Sequence, residues 1–134
     1  QIDAMKLFLS LICICCFFSL PAQVIDISQQ PQEPFENIKA TQVYSDSLAT
    51  TFIIYIKHEV ALHKHEWHTE QVYILEGTAT MRLGDTWFDI KANDYIVIPQ
   101  NTLHAVKVTS STPLKVMSIQ SPYFDGSDRV MITE

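Results

Sequence analysis

Cysteine is scarce in this chain, and where it occurs it is clustered. The 134 residues hold three, Cys13, Cys15 and Cys16, all inside one N-terminal apolar run. The remainder has no thiol, so it carries neither a disulfide framework nor a thiolate metal site. Glycine (3) and proline (6) are too few for a low-complexity or collagen-like chain. Cations are sparse as well. Nine Lys and Arg against fifteen Asp and Glu give a net charge of −6, with no basic run. That balance argues against nucleic acid or an anionic membrane surface as partner. After residue 22 no window shows apolar residues at helical spacing over a dozen positions. Phosphate-loop and dinucleotide fingerprints and a Ser-His-Asp order are missing too. The length suits one domain with one core.

What is present begins with an address. Leu7 to Leu20 is an apolar run, preceded by Met5-Lys6 and followed by Pro21-Ala22. A short positive start, an apolar stretch of about 7–15 residues and a small residue at the cut describe a secretory signal. A membrane span needs about 17–25 residues. Residues 1–22 are therefore expected to be a signal peptide cleaved after Ala22, with residues 1–4 an upstream extension. The protein is expected to be periplasmic or secreted, without a stable membrane anchor.

Residues 23–48 read as an N-terminal arm or linker and a first strand, since Pro31 and Pro34 break a polar stretch. Residues 49–134 hold short β-branched and aromatic runs. Strands are expected at Ala49–Lys57, Glu70–Leu75, Thr78–Leu83, Thr86–Ile90, Tyr95–Ile98, Leu103–Val108 and Leu114–Ile119. Gly84-Asp85 fits a type II′ hairpin turn, with glycine first. Gly77 and Asn93-Asp94 mark further turns. Seven or more short strands at regular spacing mean an all-β sandwich or barrel.

Four of the five histidines (His58, His63, His65, His68) fall within eleven residues, and His104 follows later. On a strand, positions i and i+2 share a face, so His63 and His65 would aim at one point. Glu70 follows after room for a turn and a return strand. Three imidazole nitrogens and one carboxylate oxygen suit Mn, Fe, Ni, Co or Zn better than Ca or Mg. Four inward polar side chains in a small apolar barrel would be costly without a shared partner, and a metal supplies one. With imidazole pKa values near 6.5, such a site would lose its metal below about pH 6.

His63-x-His65-x4-Glu70-x6-Gly77 resembles the first cupin motif, and Pro99-x4-His104, with Asn93-Asp94 before it, resembles the second. The resemblance runs from about Ala49 to Ile119. Two turn glycines of the family pattern are replaced, by Asn93 and Asn101, and asparagine tolerates positive φ next best. The resemblance implies an all-β double-stranded β-helix, the cupin jelly-roll barrel. It implies a divalent transition metal on His63, His65, Glu70 and His104, and a homodimer using residues 23–48, with Ile38, Val43 and Tyr44 as apolar contacts. It further implies a small metal-dependent enzyme acting on a carboxylate, sugar-acid or phenolic substrate. Glu70 would then be a ligand able to swing out as catalytic base. A non-catalytic module that binds or senses a small molecule through the same site is the alternative.

Other side chains receive bland assignments. His58 and His68 are expected to be exposed turn residues, with His68 near the pocket mouth. Strand alternation from Glu70 points Val72 and Ile74 inward and Tyr73 outward. Phe52, Tyr55, Arg82 and Gln120 are candidate pocket groups. An inward Arg82 would hold a carboxylate bidentately, although a solvated strand position is the default. Trp67, Trp87 and Phe88 fit core or interface, and Ser121–Gly126 a closing turn without a catalytic role.

Overall fold

A computed structural model describes residues 22–133 of the chain. The expected signal peptide lies, except for Ala22, outside the described residues. Ten strands follow in chain order. They are β1 (Ile38–Ser45), β2 (Thr50–Ile56), β3 (Glu59–His65), β4 (Thr69–Glu76) and β5 (Thr78–Leu83), then β6 (Thr86–Lys91), β7 (Tyr95–Ile98), β8 (His104–Val108), β9 (Leu114–Ser121) and β10 (Arg129–Met131). No helix occurs among the described residues. Every strand pairing is antiparallel. One sheet has the order β1-β2-β9-β4-β7 and the other β10-β3-β8-β5-β6.

The alternation of the strands builds the core. Val72 and Ile74 on β4 are buried and Tyr73 between them is not, as the pattern predicts. Ile56, Ile98, Leu114 and Val116 join them from the first sheet, facing Ala79, Met81, Ile90 and Val106 from the second. Each fully buried Ile or Leu contributes about 1.5–3 kcal/mol relative to leaving it exposed.

The turns follow their residue chemistry. Gly84 has φ +59° and Asp85 is not left-handed, which matches a type II′ hairpin between β5 and β6. Asn93 and Asn101 take φ of 74° and 60°, the left-handed region that asparagine tolerates after glycine. β3 and β10 are additional to the expected strands. The first is masked by its polar His and Lys, and the second has only three residues.

The segment before β1 folds back on its own sheet. Tyr55 Oη donates to the Gln29 carbonyl at 2.8 Å, and the Lys57 ammonium donates to the Phe35 carbonyl. Tyr55 therefore serves this outer contact rather than the barrel interior, correcting its candidacy as a pocket group.

Candidate metal centre

His63 and His65 project inward from β3, two residues apart, and both are buried. His104 opens β8 directly opposite His63, with their ring centroids 4.0 Å apart. One ring nitrogen from each of the three lies within 4.8 Å of the others. Glu70 comes from β4 in the facing sheet. Its Oε2 is 3.6 Å from His65 Nε2 and 3.4 Å from His104 Nε2, while Ser118 Oγ donates to its Oε1.

Backbone and side-chain acceptors set the tautomers. His63 Nδ1 donates to the Ala61 carbonyl at 2.8 Å, His104 Nδ1 to the Thr102 carbonyl at 2.9 Å and His65 Nδ1 to Asp128 Oδ1 at 3.2 Å. With each Nδ1 carrying the proton, each Nε2 keeps its lone pair. His104 Nε2 is buried and has no hydrogen-bond partner. Neutral imidazoles with Nδ1 tied to an oxygen and Nε2 free are the state a transition metal requires. The residues therefore fit the implied group.

Electrostatics push the same way. Burial, with His104 and Arg129 nearby, lowers the His63 pKa from 6.5 to about 3, so His63 is neutral at physiological pH. Burial would raise the Glu70 pKa, but His104 and His65, whenever their Nε2 atoms are protonated in the metal-free protein, and the Ser118 hydroxyl outweigh that and hold it below the usual carboxylate range. Glu70 stays a carboxylate.

A second cluster lies behind the first. His68 is buried, not an exposed turn residue. Its Nδ1 meets Asp128 Oδ2 at 2.5 Å and its Nε2 meets the Tyr123 carbonyl at 2.7 Å. Both nitrogens face acceptors, so the ring is an imidazolium. Its burial opposes the charge, yet the Tyr123 carbonyl and Asp128 raise its pKa. Asp128 is 1% exposed and also accepts the Trp67 amide at 3.0 Å. One carboxylate thus ties His65, His68 and the β3–β4 turn together across more than sixty positions of sequence. No local signal marks Asp128; it precedes a three-residue strand after a polar loop.

The three histidines and Glu70 line a cavity of about 170 Å³ between the sheets. Phe52 and Gln120 line it as expected, and so do Phe124 and Arg129. Phe124 belongs to the segment read as a mere closing turn. Arg82 does not line it: its Nε donates to the Gly84 carbonyl and its guanidinium lies 3.9 Å from Asp85. His58, Trp67, Trp87 and Phe88 are all exposed.

A family model described as Cupin domain matches residues 52–120, just over half of the chain. The chain belongs to the cupin family. Among relatives, an uncharacterised protein of Methanocaldococcus jannaschii is 34% identical over 76 residues, 57% of this chain and 61% of that one. Quercetin 2,3-dioxygenase of Bacillus subtilis is 38% identical over 48 residues, 36% of this chain and 14% of the enzyme. This cupin thus spans less than two thirds of either relative. A protein of Klebsiella pneumoniae with a double-stranded β-helix domain superposes with a TM-score of 0.72 at 13% identity, covering 85% of this chain and all of that one. This likeness shows the fold alone: the cupin has the expected jelly-roll architecture, with three histidines placed to hold a metal.

Proposed function

We propose that this cupin is a small exported metalloenzyme holding one divalent transition metal (Mn, Fe, Ni, Co or Zn) through His63, His65, His104 and Glu70. Its substrate would be a carboxylate, sugar acid or phenolic compound, and its reaction a dioxygenase, isomerase or lyase type. The observation that carries this reading is the convergence of three Nδ1-protonated imidazoles and one ionised carboxylate on the end of an apolar cavity. When bound, the metal supplies Lewis-acid polarisation or redox chemistry according to its identity. The chain does the rest. Ser118 and the two sheets fix Glu70, the apolar wall gives the site a low-polarity surround, and the Nδ1 acceptors stop the rings from turning. Glu70 suits the ligand role better than the base role, because its low pKa makes it a weak base and Ser118 restrains it. The name of the Bacillus subtilis relative supports oxygen chemistry as one branch.

One observation favours the binding-module reading. Among the described residues, no acid or base lines the cavity besides the four candidate ligands and Arg129. The test is to strip metal with a chelator, reload each candidate ion and run a panel of acids and phenolics in an oxygen cell. Oxygen uptake with iron supports the dioxygenase branch, and product without uptake supports isomerase or lyase. Stoichiometric metal with bound but unchanged substrate establishes the module. Absence of stoichiometric metal under any loading overturns the reading.

A further inference from the structure

Two polar side chains outside the ligand set reach the cavity, one from each sheet. Gln120 on β9 is the cross-strand neighbour of Glu70. It is 5% exposed, and its Oε1 is buried with no donor. Arg129 on β10 is the cross-strand neighbour of His65. Paired residues on adjacent strands share a face, so Arg129 lies on the same side as His65; it is exposed and borders the cavity at its rim. No carboxylate among the described residues forms an ion pair with it. Its charge still reaches the site, since it acts through space on His63 and Glu70 acts on it.

An unpaired guanidinium at the rim and an unsatisfied amide oxygen in the wall are complementary to one kind of molecule. We propose that Arg129 and Gln120 select a small hydroxycarboxylate, with the carboxylate seated on the guanidinium and a hydroxyl donating to Gln120 Oε1. The planar fork of arginine matches a carboxylate bidentately. A buried acceptor gains most from a ligand that brings its missing donor. The proposal rests on the metal reading above and narrows its substrates to acids that carry a hydroxyl; a phenolic offers the donor without the anion. At about 30 Å³ per water, the cavity holds about six waters. The acid is therefore short, or keeps its far end in the open mouth.

The test loads the full chain with Co(II) at pH 7.5. Glycerate, glyceramide (the same shape without the charge) and propionate (the charge without the hydroxyls) are titrated by calorimetry, and the Co(II) absorption spectrum records the metal separately. Glycerate should bind about tenfold or more tighter than either analogue. Arg129→Gln should bring glycerate down to the glyceramide level with Co(II) still bound stoichiometrically, and Arg129→Lys should restore part of the loss. Gln120→Met should bring glycerate toward propionate. Should that buried change prevent folding, the rim variant Arg129→Gln still decides. Equal glycerate affinity in wild type and Arg129→Gln, or glyceramide bound as tightly as glycerate, would overturn the proposal. Co(II) bound with no role for Arg129 removes the acid site and leaves the metal reading. Arg129-dependent glycerate binding in a protein that takes up no metal removes the metal reading and leaves the acid site.

Discussion

At the scale of the residue, Asp128 connects the candidate ligands to the rest of the protein. It holds His65 in one tautomer and neutralises the buried His68 imidazolium. Removing one member of a buried ion pair costs about 3 kcal/mol or more, and losing the acceptor behind a metal-bound histidine lowers affinity about 10–100-fold. Asp128→Asn should show both, in urea unfolding and in metal titration; unchanged metal affinity would mean that His65 needs no such support. The pH dependence of the pair follows from its shifts. The lowered Asp128 pKa contributes stability that is present above the unfolded carboxylate value and lost as pH falls through the folded one. The raised His68 pKa contributes stability that is complete below 6.5 and lost as pH rises through the folded value. The stability gap between wild type and His68→Gln should be widest near pH 5 and narrow toward alkaline pH. His63 has the opposite sign. Its pKa falls from 6.5 to about 3, so the unfolded chain binds the extra proton and the metal-free protein loses stability as pH drops below 6.5. The fold has already removed that proton, so metal need not displace it. Acid should therefore weaken metal binding less steeply than proton competition at three reference imidazoles would, which metal titration at pH 7.5 and pH 5 reads out. A fall in affinity as steep as three reference imidazoles give would contradict this account of His63.

At the scale of the element, the feature that aims the site is a bulge. Val60 pairs with Val106 and His63 with His104, so β3 carries one residue more than β8 between those points. Val60 and His63 both line the cavity although they are three apart, which strict alternation forbids and a bulge allows. The bulge also presents the Ala61 carbonyl to His63 Nδ1. The shared inward face of His63 and His65 was legible in the sequence because i and i+2 share a face; the bulge was not, because alternation is broken by pairing with a strand forty positions away. His68 was misread for a similar reason. Its turn is polar and local, and what buries it is a loop sixty residues later. The β4–β5 junction makes a sharper test. A Cβ on Gly77, at φ +87°, would meet the Leu114 Cα and Ser110 Oγ at 3.0 Å and the Pro113 carbonyl at 3.1 Å. Gly77→Ala should cost about 1–3 kcal/mol in denaturant unfolding, and a loss within error would show that this junction relaxes freely.

At the scale of the whole molecule, the two sheets leave edges at β1, β7, β10 and β6. Exposed edges are managed by covering or pairing. Ile38 and Tyr44 on β1 are each more than 40% exposed. A homodimer that covers β1 is the expected solution state, and light scattering at micromolar concentration checks it; a monomer with and without metal rules it out. Metal that binds only the folded barrel adds about 2.7 kcal/mol at a hundredfold excess over Kd, several degrees of Tm for a domain of this size. Fold class and the candidate ligands were legible because period-2 patterning and paired histidines are local signals. Arg129 and Asp128 were not, since topology alone brings β10 beside β3.

Arg129 is also a cleavage site for trypsin. The bond after it lies inside β10, hydrogen-bonded alongside β3, and a protease needs that strand lifted out in extended form. Asp128, one residue earlier, is fastened to His65 and His68. Whatever immobilises His65 therefore also holds the strand down. The rate of nicking at Arg129 becomes a gauge of how often the rim opens, readable on a gel without any substrate, and it should slow when the histidines are occupied.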